Sequence, residues 1–135
     1  MTSANGQRLL LPQGWPQPKG YANGIVVKGT QIVLGGQIGW DEKGRLAGGF
    51  VAQVRQALDN IVRLLREAGA GPQHVVRLVW YVTDMDAYAT NLKAVGEAYR
   101  SLFGRHYPSM TLVQVVRLVE AEAKVEIEAT AVLPD

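Results

Sequence analysis

Residues 74–83 constrain the fold of this chain more than any other stretch. Val75, Val76, Leu78, Val79, Trp80, Tyr81 and Val82 place an apolar side chain at nearly every position of a short run. β-Branched and aromatic residues favour strands, and a strand apolar on successive positions needs cover on both faces. The run therefore predicts a central strand over 74–83. Before it, Val54, Leu58, Ile61 and Leu65 recur at helical spacing within residues 50–68, which predicts an amphipathic helix. Gly69, Gly71 and Pro72 stop that helix. After the run, Asp84 or Asp86 is placed to cap a second helix reaching residue 103. Tyr88, Leu92, Val95, Tyr99 and Leu102 form its apolar stripe, and Gly104 sits where a C-terminal cap belongs.

Four further strands complete the pattern. Residues 25–28 and 31–34 predict a hairpin turning at Gly29-Thr30. Residues 110–116 and 125–132 predict two more strands. Residues 12–24, with Pro12, Gly14, Pro16, Pro18, Gly20 and Gly24, read as an irregular arm laid on the body. The order β-β-α-β-α-β-β gives an α/β (α+β) fold, a mixed β-sheet with both helices packed on one face. No helix remains for the opposite face, so it must be solvated or meet another subunit. At 135 residues the chain forms a single domain, 1–135. With 47% apolar and 19% charged residues it has apolar surface to spare for an interface.

Several function classes drop out. There is no cysteine, so disulfides, thiolate catalysis and zinc–thiolate sites are excluded. His74 and His106 have no second His at ligand spacing, and no metal or other cofactor is expected. The apolar cluster Leu9-Leu10-Leu11 ends at Pro12, too short for a signal-peptide core. No apolar run approaches the ~20 residues of a membrane span. These features predict a cytoplasmic protein. Net charge is +2, and Arg55, Arg63 and Arg66 share their helix with Asp59 and Glu67. No one-sided basic patch argues for nucleic acid.

The last strand carries the clearest chemical signal. Glu126, Glu128 and Thr130 alternate with Val125, Ile127 and Ala129, so the polar residues share one face. That face is either a solvent-facing stripe or a cleft wall in which a carboxylate moves protons and orients water. Gly35-Gly36-Gln37-Ile38-Gly39 marks a place where the backbone bends or approaches something closely. It opens no helix and is not a phosphate cradle.

Five segments, taken in order, resemble the RidA (YjgF-like) family of reactive enamine/imine deaminases. They are Gly20-Tyr21, Gly35-Gly36-Gln37-Ile38, Gln56-Ala57-Leu58-Asp59-Asn60, Val82-Thr83-Asp84-Met85 and Val125-Glu126-Ile127-Glu128-Ala129. The resemblance implies a chorismate-mutase-like fold and a homotrimer with clefts between subunits. It also implies cofactor-free hydrolysis of small imines or enamines to a keto compound and ammonia. Tyr21 matches the family's arm tyrosine, Gly36 the glycine of its turn, and Glu126 the glutamate that positions water. One position departs. Where the family opens its strand with Pro-Ala-Arg-Ser, this chain has Pro108-Ser109-Met110-Thr111. Met110 thus replaces the arginine that forks to the substrate carboxylate, and methionine offers no such fork. Arg105 and His106 lie just upstream as substitute cations, and Trp15 and Trp40 are further candidates for the cleft wall.

The expected function is a RidA-like small-molecule hydrolase with altered specificity. Glu126 is its catalytic residue, and Tyr21, Gly36, Met110 and Arg105 bind substrate. An aminomuconate-type deaminase falls within the same reading. The alternative is a non-catalytic trimer of this fold that binds a metabolite. A ribonuclease or translation inhibitor, a role described for some relatives, ranks below both because there is no basic patch and no histidine pair.

Overall fold

The computed structural model describes residues 5–135, and the first four residues of the expected 1–135 domain lie outside the described residues. The elements are β1 (Arg8–Leu9), β2 (Ile25–Val26), β3 (Gly29–Ile38), α1 (Phe50–Glu67), a 3-10 turn (Pro72–His74), β4 (Val75–Val82), α2 (Met85–Ala89), α3 (Leu92–Phe103), β5 (Ser109–Gln114) and β6 (Val125–Pro134). The main sheet has the order β3-β6-β4-β5. β4 runs parallel to β5 and antiparallel to β6, so the sheet is mixed. Among the described residues no helix is long and apolar enough to cross a membrane.

The core forms where the periodicities meet. Val54, Leu58, Ile61 and Leu65 on α1 are all fully buried. They pack with Val95, Tyr99 and Phe103 of α3 against Leu78, Trp80 and Val82 of β4 and Val125, Ile127 and Ala129 of β6. Both long helices therefore cover one face. The other face carries Arg77, Val79 and Tyr81 of β4 and Glu126, Glu128 and Thr130 of β6, and of these only Val79 is buried. β4 is an inner strand, but in the single chain only one of its faces lies under helices, not two as its apolar run suggests.

Two local expectations are corrected. Gly29-Thr30 is no hairpin turn, because β3 is one strand beginning at Gly29 and β2 instead pairs with β1, which precedes the arm. Gly29 serves close approach: a Cβ there would lie 1.9 Å from the Leu133 carbonyl oxygen of β6. The second helix is broken in two. Asp84 caps α2, accepting from the backbone N–H groups of Asp86 and Ala87. The Thr90 hydroxyl then donates to the Asp86 carbonyl at 2.8 Å and the Asn91 side chain to the Ala87 carbonyl at 2.7 Å. Side-chain hydrogen bonds of this kind compete with helical ones, and α3 starts afresh at Leu92.

Candidate active site

Two places gather the candidate residues, one on each face of the sheet. The first is built around a β-bulge. The register of β3 on β6 shifts between Leu34 and Gln37. This turns Gly36 against Glu126, so that a Cβ at Gly36 would lie 1.9 Å from Glu126 Oε2. Only glycine admits the carboxylate this close to backbone. The two glutamates of β6, equivalent in the sequence pattern, differ here. Glu128 accepts a hydrogen bond from the Tyr81 hydroxyl across the strand pair. That bond, followed by partial burial, pushes the Tyr81 pKa up, so the proton stays on the phenol. Glu126 has no hydrogen-bond donor among the described residues, leaving its oxygens available to water.

Helix α1 holds this corner rigid through Gln53, which was not singled out in the sequence, and through Gln56 and Asn60 of the segment that resembles the family. Gln53 is buried. Its Nε2 donates to the carbonyls of Ala47 and Glu122 at 3.2 Å each, and its Oε1 accepts from Lys124 N at 2.8 Å. The entry to β6 is thereby fixed two residues before Glu126. Gly39 lets β3 end against this residue, since a Cβ there would meet Gln53 Cα at 2.5 Å. Asn60 donates to the Ile38 and Trp40 carbonyls at 3.2 and 2.9 Å, and Gln56 donates to Asn60. The Gln56–Asn60 segment thus orients the end of β3. Its signal in the sequence was polar residues on a helix whose neighbours are core.

The second place is a cavity of about 530 Å³ on the helix-covered face. The arm reaches it because Ala22 N donates to the Pro108 carbonyl at 2.9 Å and Ala22 bridges Ser109. Tyr21 then shares the cavity wall with Met110 and Leu112 of β5 and Trp80 of β4. Trp80 Nε1 is buried with no hydrogen-bond partner among the described residues, which costs about 1–3 kcal/mol. Met110 pairs in register with core residue Leu78, so it faces the helices and not Glu126. Leu92, expected in the buried stripe of its helix, is 56% exposed at this cavity. Arg100 and Lys19 also line it, and neither was singled out in the sequence.

The remaining candidates lie elsewhere. Arg105 and His106 line a second cavity of about 670 Å³ beneath the arm, which shares Tyr21 and Tyr107 with the first. His106 Nε2 lies 2.7 Å from the Val75 carbonyl. Burial lowers the His106 pKa, so the ring stays neutral and donates there. Trp40 lines a small cleft with Asp41 and Asn60, and Trp15 is exposed. One chain therefore brings Tyr21 together with Met110, and Gly36 together with Glu126, and holds the two pairs on opposite faces.

Residues 16–133 match the model of the endoribonuclease L-PSP family. The chain belongs to this RidA (YjgF-like) family. It is similar to the 2-iminobutanoate/2-iminopropanoate deaminase of Salmonella typhimurium, 34% identical over 116 residues that cover 83% of this chain and 86% of that protein. A goat deaminase of the same name is also 34% identical, over 83% of this chain and 79% of the relative. Among solved structures, the Rid-family protein YyfB from Yersinia pestis superposes with a TM-score of 0.83 at 32% identity. That match covers 95% of this chain and 99% of the other. TdcF of Escherichia coli with bound serine superposes at 0.67 and 28% identity, covering 93% and 98%. The mixed sheet with its helices on one face is thus the RidA-family fold.

Proposed function

We propose that this RidA-family chain is a cytoplasmic, cofactor-free hydrolase that deaminates a small imine or enamine in clefts between the subunits of a homotrimer. The observation that carries the reading is the division of the site. The unpartnered Glu126 carboxylate beside Gly36 and the Tyr21–Met110 cavity lie on opposite faces, so a second copy is needed to join them. Exposed apolar side chains also stand on that open face. Val33 of β3 is 72% exposed and Val113 of β5 is 40% exposed, as an interface would require.

In the joined cleft Glu126 takes a proton from water as its oxygen adds to the imine carbon. Glu126 passes that proton to nitrogen, then takes the proton of the new hydroxyl and delivers it to nitrogen as the C=O forms and the carbon–nitrogen bond breaks, so that a carbonyl compound and ammonia leave. Met110, with Leu112 and Trp80 beside it, makes the wall near the substrate apolar. A small 2-imino acid placed there would leave its carboxylate without a fork, and desolvated charge left unpaired is costly. The specificity is therefore altered away from the smallest imino acids.

Ammonia release from freshly generated imines tests this, with wild type, Glu126→Ala and Met110→Arg compared. The expected result is activity in wild type that falls about 10²–10⁴-fold in Glu126→Ala. A silent wild type beside an active Met110→Arg would instead identify a trimer that binds a metabolite without turning it over.

A further inference from the structure

The helix-side cavity has a charge pattern of its own. Arg100 and Lys19 stand in its wall, and no carboxylate lines it. Neither cation has an acidic partner among the described residues. Arg100 is also placed with some care. Its guanidinium lies back over Gly96, one turn earlier on α3, where a Cβ would come within 3.0 Å of Arg100 Nη1. Glycine in a helix interior is unfavourable for the helix itself, and at this position it leaves room for the guanidinium beside the cavity. The rest of the wall is largely aromatic and apolar. Tyr99 stacks on Phe103 at 4.9 Å and on Tyr107 at 5.5 Å between ring centroids, and Tyr99 and Tyr107 both reach the cavity. At about 530 Å³ the space is far larger than a three- or four-carbon acid fills.

We infer that this cavity selects a carboxylate with a ring-bearing apolar body. Arg100, approaching from α3, binds the carboxylate, and the ring packs against Tyr107, Met110 and Leu112. Lys19 adds positive charge at the mouth. The inference rests on reading this cavity as the substrate half of the proposed cleft, and it names the substrate class as an aromatic 2-imino acid and its keto acid product. A guanidinium donates two parallel hydrogen bonds to a carboxylate wherever it stands, so the cation need not come from the strand position that Met110 occupies.

Binding is measured with stable compounds, so that it does not depend on turnover. Phenylpyruvate carries ring and carboxylate, pyruvate lacks the ring, and phenylacetone lacks the carboxylate. The readout is calorimetric affinity together with the indole N–H resonance of Trp80, picked out from the three tryptophans by Trp80→Phe. Phenylpyruvate is expected to bind wild type about ten-fold more tightly than either other compound and to shift the Trp80 signal. Arg100→Ala should remove that advantage and leave phenylacetone unchanged, while Arg100→Lys restores part of it. Gly96→Ala should weaken phenylpyruvate in the same direction while raising the thermal midpoint, a pairing that general damage to α3 would not produce. Phenylpyruvate that fails to bind, pyruvate that binds equally well, or an Arg100→Ala variant that keeps the full advantage would each overturn the inference. Tight, Arg100-dependent binding without ammonia release from any imine would overturn the hydrolase reading and leave this one standing.

Discussion

On β6, Val125, Ile127, Ala129 and Ala131 face the helices at no more than 3% exposure, whereas Glu126 and Glu128, set between them, are half-buried on the other side. The same strand thus serves two purposes one residue apart. The helix face is closed within the chain, and its side chains answer to packing. The open face sets polar side chains of β4 and β6 around the buried Val79, and among the described residues its one carboxylate without a donor, that of Glu126, stands beside a glycine. Substitutions on the two faces should therefore separate stability from activity.

The largest contrast should come from the helix face. Leu58→Ala empties a fully buried site between α1 and the sheet and is expected to cost about 2–5 kcal/mol in urea unfolding. The turnover of what remains folded should be unchanged. A loss below about 1 kcal/mol would mean that this face is not the tightly packed side.

Gly36→Ala tests the other side. Its Cβ would collide with Glu126 Oε2, the end of a flexible side chain, so the carboxylate moves and the fold survives. A fall in kcat of about ten-fold or more is expected, with the unfolding free energy changed by less than about 1 kcal/mol. Equal losses of stability and turnover would break the contrast.

Tyr81→Phe should do less. It removes the donor to Glu128 on a partly solvated surface, where such a bond contributes little to stability. Glu126 keeps its place beside Gly36 in this variant, so turnover should fall less than in Gly36→Ala. The comparison reads directly which glutamate acts.

The smallest effect is on pH. Burial lowers the His106 pKa below the usual 6.5, so below that pH the unfolded chain binds a proton that the folded chain resists. Stability is full above pH 6.5 and declines as pH falls beneath it. Thermal midpoints measured between pH 8 and pH 5.5 should show a shallower decline in His106→Gln than in wild type.

Helical and strand periodicity marked α1, β4 and β6 within a residue or two, because each buries one stripe or face and its apolar spacing records that. The Glu126–Glu128 alternation was legible for the same reason. The Gly29-Thr30 turn was misread because a glycine that permits close contact with Leu133 looks the same in sequence as one that permits a turn. Asn91 and Thr90 broke a helix whose apolar spacing runs on past them, since the competing hydrogen bonds depend on rotamers that spacing does not encode.

The amino-acid order by itself determined the element types, the one-sided placement of the helices, the family, and which residues could carry chemistry. Only the tertiary structure decided that Glu126 and not Glu128 lacks a donor, that Met110 and Glu126 lie on opposite faces, and that Arg100 reaches the cavity where Arg105 does not. The physical reason is that side-chain alternation is a property of one strand, whereas partners and cavities arise from register between strands and from how the arm and α3 are laid against them.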